Sequence, residues 1–211
     1  MSAAPTPAKP EERARLKGEI WRALPRLLIA ALLLSGAILT AKALYIPVKA
    51  EIAQVLLTRA FDHSVAQGTP VKPWSWADTA PVARVSVPRL GASEIVLSGG
   101  SGEAMAFGPT SLIDNPSGGI TVLAAHRDTH FAFVRDLAPG DQITFERIDG
   151  TTTHYRVTHL ETVRWDEFAY PLSRARGTIA LTTCWPFGTH TPGPLRRIAW
   201  AEEMGAEQTE A

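Results

Sequence analysis

Cysteine is almost absent from this sequence, which has one cysteine, Cys184, among its 211 residues. A single cysteine excludes an intrachain disulfide, so the compartment of the protein cannot be inferred from disulfides. The sequence also lacks an excess of charge of either sign, because 21 lysines and arginines balance 21 aspartates and glutamates. This balance gives no indication of a nucleic acid or another polyanion as a partner. The length suits one domain of ordinary size with short appendages.

Charge is distributed unevenly near the N-terminus. Residues 9–26 carry six basic and three acidic side chains, whereas residues 27–41 carry no charge. Counted through Val48, the apolar stretch reaches the ~20 residues that span a bilayer, and Lys42 near its end can extend its amine to the interface. The basic flank predicts that the N-terminus stays in the cytoplasm and that the rest is exported. We therefore expect a single-pass anchor in the inner (cytoplasmic) membrane, with the folded domain on the extracytoplasmic side.

A cleaved signal peptide is the alternative interpretation of the same stretch. Its uncharged part is short enough for a signal-peptide core, and Ala41-Lys42-Ala43 resembles a cleavage site. The region before it, however, is 26 residues long and contains three acids, which favours a retained anchor. Both interpretations place the folded domain outside the cytoplasm.

The composition divides the chain into five segments. They are a basic cytoplasmic N-terminus (1–26), a transmembrane anchor (27–48), a membrane-proximal helix with a Pro/Trp linker (49–80), a β-barrel domain (81–204) and a loose tail (205–211).

The third segment has the pattern of a helix followed by a proline-rich linker. The apolar residues Ile52, Val55, Leu56 and Ala60 have the spacing of one helix face, and a glycine, Gly68, ends the pattern. The linker contains two tryptophans, Trp74 and Trp76. These tryptophans could contact the membrane surface or pack on the domain, and we expect packing.

From Pro81 onward the sequence is typical of short strands joined by turns. Strand patterns occur in VARVSVP, GGITVLAAH, DQITFERI, THYRVTHLETV, GTIALTTC and RRIAWAEE. Asp149-Gly150 lies between the third and fourth of these and predicts a hairpin. The helical patterns are brief, in residues 101–109 and 129–137. Strands this short and frequent predict a mainly β fold, a closed or nearly closed β-barrel with short helices, preceded by one N-terminal transmembrane helix.

One of the six histidines, His126, stands out because it ends the apolar run TVLAAH and begins a polar turn. The end of a strand is where a rigid element presents a side chain to a substrate. His154 and His159 lie on one strand pattern with opposite parity, so we expect them on opposite faces of the sheet. A metal site is an alternative, with His126, Asp128 and His130 as ligands. Their spacing, however, does not match that of known zinc motifs.

Cys184 also ends a strand pattern, because Pro186 cannot continue a central strand. If the strands of His126 and Cys184 are neighbours, the thiol and the imidazole meet at one rim. There the thiolate could attack a carbonyl, and the histidine could protonate the leaving amine. Arg196 and Arg197 begin the next strand, and a hairpin-like return would bring one of them beside the cysteine to stabilise an oxyanion. The alternative is a buried cysteine that only fills space.

Two motifs resemble those of the sortase family. LTTCWPF…PLRRIAW resembles the L-x-T-C…R signature of sortases, and AAHRDTHF resembles the H-R-D-T segment around the sortase histidine. The WPF after the cysteine and the PGPLRR run before the last strand resemble the Gram-negative class, class GN. The resemblance extends over about residues 81–203. One departure is Ala180, where many sortases have a threonine.

The resemblance implies a sortase-type β-barrel with cysteine transpeptidase activity on the periplasmic side of the membrane, and it requires no cofactor. The substrate would be a secreted partner protein with an LPxTG-like C-terminal sorting signal, and the acceptor an amine. By position, Cys184 is the nucleophile, His126 the general acid/base and Arg196, rather than Arg197, the oxyanion and clamping residue.

Two neighbours of these residues receive supporting roles from the same resemblance. Thr183 would hold the substrate or the arginine, and Asp128 would orient the histidine turn; for both, a hydrogen bond that only stabilises a turn is the alternative. Two other functions stay open for the chain as a whole: a cysteine hydrolase with water as acceptor, and a non-catalytic anchored binding module.

Overall fold

The computed structural model describes residues 10–114, 119–171, 177–189 and 191–205. The chain divides into two compact units, residues 1–51 and residues 52–211. Of the expected loose tail, 205–211, residues 206–211 lie outside the described residues, as do residues 1–9 of the predicted cytoplasmic N-terminus.

One helix, α1 (Pro10–Gln67), accounts for the first unit and the start of the second. In the first unit, every described side chain from Trp21 onward is exposed. Within Trp21–Gln67 the helix is long and apolar enough to cross a membrane by length and composition, which makes it a candidate span. The helix ends before Gly68, whose φ of +66° is left-handed backbone that glycine adopts without strain. The predicted end of the membrane-proximal helix at this glycine is confirmed.

In the second unit, the helix α1 is confirmed, and it packs on the barrel through one face. The buried residues are Ala53, Leu57, Ala60, Phe61 and Ser64. Of the residues whose spacing indicates the helix, Ala60 lies on this buried face, whereas Ile52 and Val55 are 55% and 50% exposed. Apolar residues occur all round this part of the helix, so two stripes with helical spacing were available, and packing against the barrel selects the one that carries Leu57 and Phe61.

The rest of the second unit is a closed barrel of eight strands, which confirms the predicted mainly β fold. The strands are β1 (Pro81–Val87), β2 (Ala92–Leu97), β3 (Thr110–Ile113), β4 (Ile120–Ala124), β5 (Gln142–Arg147), β6 (Thr152–Arg164), β7 (Thr178–Cys184) and β8 (Leu195–Glu203). Their order around the barrel is β1-β2-β3-β4-β7-β8-β6-β5. The helical pieces are α2 (Gly102–Met105) and two short 3₁₀ helices, Pro88–Leu90 and Ala132–Asp136.

The strand patterns follow from burial on the barrel interior. In β1, Ala83, Val85 and Val87 alternate with partly exposed residues, as the sequence predicts. β5 and β6 form the hairpin predicted at Asp149-Gly150, where Gly150 has a φ of +82°. All five residues of β4 are buried because both faces of this strand are covered.

The expectation that His154 and His159 face opposite sides of the sheet was wrong. The pairing of β6 with β8 shifts register between Val157 and His159. This irregularity inserts one residue, so the parity of the strand changes and both histidines lie on its outer face. His159 stacks on Trp200 there, with ring centroids 6.2 Å apart.

Candidate active site

Three neighbouring strands bring Cys184, His126 and Arg196 to one face of the sheet. β4 and β7 are parallel neighbours, with Ala124 opposite Thr182, so His126 and Cys184 each stand two residues further along. β7 and β8 are antiparallel, with Cys184 directly opposite Arg196. Because side chains alternate along a strand, all three point to the outer face that also carries Thr182. The neighbouring strands that the Cys–His hypothesis requires are therefore present.

These three residues line one groove of about 350 Å³, a volume within the usual range of ligand sites. The groove is half-open, and its remaining walls are mainly apolar side chains from α2, β3, β4, β6, β8 and the segments that follow β4 and β6. They are Met105, Leu112, Ala124, Ala125, Val163, Trp165, Phe168, Tyr170 and Ile198, with Thr182 and Thr183 beside them. Trp165 and Leu112 are exposed at 61% and 44%, so the groove has an apolar rim open to solvent. No motif in the sequence indicates this wall.

Arg196 and Arg197 have different surroundings. Arg196 lies in the groove, where its Nη1 donates hydrogen bonds of 2.9 Å to the carbonyls of Gly193 and Leu195. Arg197 is opposite Thr183, on the other face of the strand. Its guanidinium lies over the Trp185 ring at 5.4 Å and donates to Thr162 Oγ1 at 3.2 Å.

Thr183 is buried and faces the barrel interior rather than the groove centre. Its hydroxyl donates a hydrogen bond of 2.8 Å to the carbonyl of Ala125. The amide of Ala125 donates in turn to the carbonyl of Thr182 at 3.3 Å. Thr183 therefore fixes the backbone that leads directly into His126.

Asp128 is exposed in the turn after His126, and the side-chain contact found for it there is with Arg127, at 3.4 Å. Arg127, which the sequence analysis did not single out, is buried. Its Nη2 donates to the carbonyls of Thr189 and Thr191, in the loop between β7 and β8. Arg127 thus links the turn of His126 to the loop that follows Cys184.

Two further contacts hold the histidine turn. The amide of Phe131 donates to the carbonyl of His126 at 3.1 Å, and the ring of Phe131 is fully buried in the barrel core. His130 Nδ1 lies 2.7 Å from Glu94 Oε2 on β2. The turn after His126 is therefore held to the core and to β2, and this restricts the positions available to the exposed His126 side chain.

Tyr170 forms the part of the groove wall that contacts β7. Its hydroxyl shares a hydrogen bond of 2.7 Å with Thr182 Oγ1. Burial raises the pKa of Tyr170, and the hydrogen bond to Thr182 and the nearby charge of Arg196 oppose that rise only in part. The tyrosine is therefore a neutral hydrogen-bonding group in the groove wall, and its ring packs on Phe168 and Trp200.

Metal sites in proteins are commonly formed by His, Cys, Asp and Glu side chains. Within the described residues, no group of three or more could hold a metal ion. Of the ligands considered from the sequence, His130 contacts Glu94 and Asp128 contacts Arg127. The structure does not bring these two together with His126 as a ligand set.

Comparisons with known proteins agree with this arrangement of the fold. Residues 85–204 match the Sortase domain family, which is more than half of the chain. Sortase A from Corynebacterium diphtheriae is similar in structure, with a TM-score of 0.55 and 21% identity over 64% of this chain and 66% of that one. Pilus-related Sortase C of Group B Streptococcus is similar with a TM-score of 0.53 and 24% identity over 60% and 69% of the two chains.

These structural similarities, at such low identity, show the shared fold. The chain spans slightly less than two thirds of the length of the Corynebacterium diphtheriae protein. No curated protein sequence matches the chain. The family match over residues 85–204 covers the barrel from β1 to the end of β8, including the groove. On this match, the chain belongs to the sortase family.

Proposed function

We propose that this protein is a membrane-anchored cysteine transpeptidase that cleaves an LPxTG-like sorting signal and transfers the new carboxyl end to an amine. The observation that carries the proposal is the register of β7 and β8, which sets Cys184 opposite Arg196 in the groove that His126 lines. A space-filling cysteine needs no arginine opposite it and no groove in front of it.

The chemistry assigns one role to each residue. The Cys184 thiolate attacks the carbonyl of the scissile Thr–Gly bond, and the negative charge that develops on the oxygen accepts hydrogen bonds from Arg196. His126 donates a proton to the leaving amine as the carbon–nitrogen bond breaks. The product is a thioester between Cys184 and the threonine carboxyl. An incoming amine then attacks the thioester, loses a proton to His126 and releases the Cys184 sulfur.

The shape of the groove supports an extended apolar peptide as the substrate. Its long wall of aromatic and aliphatic side chains leads to the three polar residues, so the apolar part of a sorting signal can bind while its scissile carbonyl reaches Cys184. Binding of that kind supplies orientation, and orientation contributes much of the rate of acyl transfer.

The finer assignments rest on the sequence resemblance. The WPF and PGPLRR runs support membership of the Gram-negative class. With the candidate span in α1 and its basic flank, they support a location in the inner membrane with the barrel in the periplasm. A dedicated secreted partner with the sorting signal would be the main substrate.

One assay tests the proposal and separates it from the alternatives. The full chain in detergent is incubated with a peptide that contains an LPxTG-like signal, with and without hydroxylamine, and the products are identified by mass spectrometry. We expect a hydroxamate at the threonine that disappears in Cys184→Ala. A carboxylate as the single product, whatever amine is added, would indicate a cysteine hydrolase. Absence of turnover with every signal peptide tried would indicate a binding module.

A further inference from the structure

Trp74 and Trp76 stand two residues apart in the linker but have opposite environments. Trp74 packs edge-on against Phe107, with ring centroids 5.2 Å apart, beside a core cluster that contains Leu57 and Phe61. Trp76 is 79% exposed, the most exposed large hydrophobic side chain among the described residues of the second unit. The expectation of packing is met by Trp74 and was wrong for Trp76.

Hydrogen bonds hold the linker backbone on both sides of Trp76. Before the tryptophans, the amide of Val71 donates to Ser64 Oγ at 2.8 Å. After them, Thr79 Oγ1 donates to the carbonyl of Ser98 at 2.7 Å. Between these points, the amide of Ala77 donates to the carbonyl of Trp74 at 3.0 Å. This hydrogen bond closes a turn with Trp76 near its tip.

The turn lies close to the point where the second unit begins. Phe107, on which Trp74 packs, accepts a hydrogen bond of 2.8 Å at its carbonyl from Gln54 Nε2. Gln54 follows Val48, the end of the predicted span, by six residues of sequence. Phe107 thus links the tryptophan turn to Gln54, which lies six residues after the end of the predicted span.

Other residues of this region suit a lipid headgroup layer. Ile52 and Val55, which lie within two residues of Gln54, are both at least half exposed. Lys72 is exposed in the linker four residues before Trp76. Tryptophan is enriched at membrane–water interfaces, and basic side chains are attracted to anionic lipids.

We propose that the turn from Trp74 to Ala77 docks on the membrane surface and that Trp76 inserts among the lipid headgroups. The inference rests on the membrane anchor of the proposed function and adds a second lipid contact to it. Two attachment points restrict how the barrel rotates over the membrane, and so they limit the orientations in which the groove meets a membrane-bound substrate.

Fluorescence quenching by brominated lipid tests this contact. The full chain is reconstituted in vesicles of phosphatidylcholine and phosphatidylglycerol, with bromine on the phosphatidylcholine acyl chains near the headgroup. We expect Trp76→Phe to remove roughly half of the quenched tryptophan emission, since Trp21 beside the span is the other tryptophan expected at an interface. Trp165→Phe is the matched control, because Trp165 is also exposed but lies at the groove; it should leave the quenched emission unchanged.

A second measurement separates failure of this inference from failure of the anchor. Flotation of the vesicles after a carbonate wash reports whether the chain is held by a span. Unchanged quenching in Trp76→Phe, with the protein still floating, would overturn the surface contact and leave the anchor intact. Loss of the wild-type protein from carbonate-washed vesicles would overturn both.

Discussion

Arg196 and Arg197 show how one residue of register separates a functional role from a structural one. Arg196 shares the outer face with Cys184, and its guanidinium is oriented by carbonyls of the β7–β8 loop. Arg197 stacks on Trp185 on the opposite face. These two arginines are adjacent in sequence but have different roles, because successive side chains of a strand point to opposite faces of the sheet.

At this scale we expect Arg196→Ala to lower kcat/KM for a sorting peptide by on the order of 10²–10³-fold, the usual effect of removing an oxyanion donor. Arg197→Ala removes a cation–π contact and should change kcat/KM by only a few-fold. Steady-state kinetics on both variants, with melting temperatures to verify folding, check the prediction. A larger loss in Arg197→Ala would contradict the assignment of the clamp.

Thr183 permits a second prediction, through its hydrogen bond to the carbonyl before His126. Thr183→Val keeps the shape but leaves the buried Ala125 carbonyl without this donor, so we expect a loss of about 1–3 kcal/mol in unfolding free energy. Because the bond positions His126, kcat should fall while KM changes little. Thr183→Ser retains the hydroxyl and should restore most of kcat. If serine and valine were equally impaired, the hydroxyl would have no positioning role.

At the scale of elements, an ion pair fixes the turn that precedes β5. Asp141, just before β5, accepts hydrogen bonds from Arg89 Nη2 at 2.7 Å and from the Ala138 amide at 2.8 Å. The hydrogen bond from Arg89 is the main cause that lowers the pKa of Asp141. A carboxyl whose pKa is lowered by folding stabilises the protein above its unfolded pKa, and this contribution is lost as the pH falls through the folded pKa.

We therefore expect Asp141→Asn to melt at a lower temperature than wild type at pH 7, with the difference shrinking as the pH falls below about 4. Thermal melts from pH 7 to pH 3 measure this. Asp136→Asn is the control, because the Asp136 carboxylate is 55% exposed and its contacts with Arg135 are 3.5 Å long; it should have little effect. A pH-independent difference in Asp141→Asn would mean that the charge of Asp141 is irrelevant to stability.

The sequence predicts those elements whose apolar pattern is long. β1, β4, β7 and β8 have clear patterns, and the β5–β6 hairpin has its Asp-Gly turn. β2 and β3 were not identified, because β2 is buried only over its last three residues and β3 has four residues, of which one is buried. The bulge in β6 could not be predicted, because the alternation of apolar and polar residues does not indicate where an extra residue is inserted.

The candidate site divides in the same way. Strand ends and residue types suffice to suggest Cys184, His126 and Arg196. The apolar wall around Trp165 and Phe168, and the link that Arg127 makes to the β7–β8 loop, depend on elements that are distant in sequence. One feature of the sequence could have indicated Arg127: it is a charged residue directly after His126, the histidine that ends an apolar run.

At the scale of the whole molecule, the proposed topology can be tested with the one cysteine of the chain. Cys184 is partly exposed, and the basic flank of the span predicts that the barrel is extracytoplasmic. We expect a membrane-impermeant maleimide to label wild-type protein in spheroplasts without permeabilisation, and Cys184→Ala to remain unlabelled. Ser2→Cys in the Cys184→Ala background should be labelled only after permeabilisation. The reverse pattern would mean that the orientation is inverted.

The central claim is that Cys184 carries an acyl group between a sorting signal and an amine, and the intact mass of the protein tests it most directly. The full chain is mixed with an LPxTG-like peptide and quenched in acid at short times. We expect a mass increase equal to the peptide acyl group, located on Cys184, and its discharge when an amine is added. Peptide cleavage with no mass increase at any time, or an adduct that persists in Cys184→Ala, would contradict it.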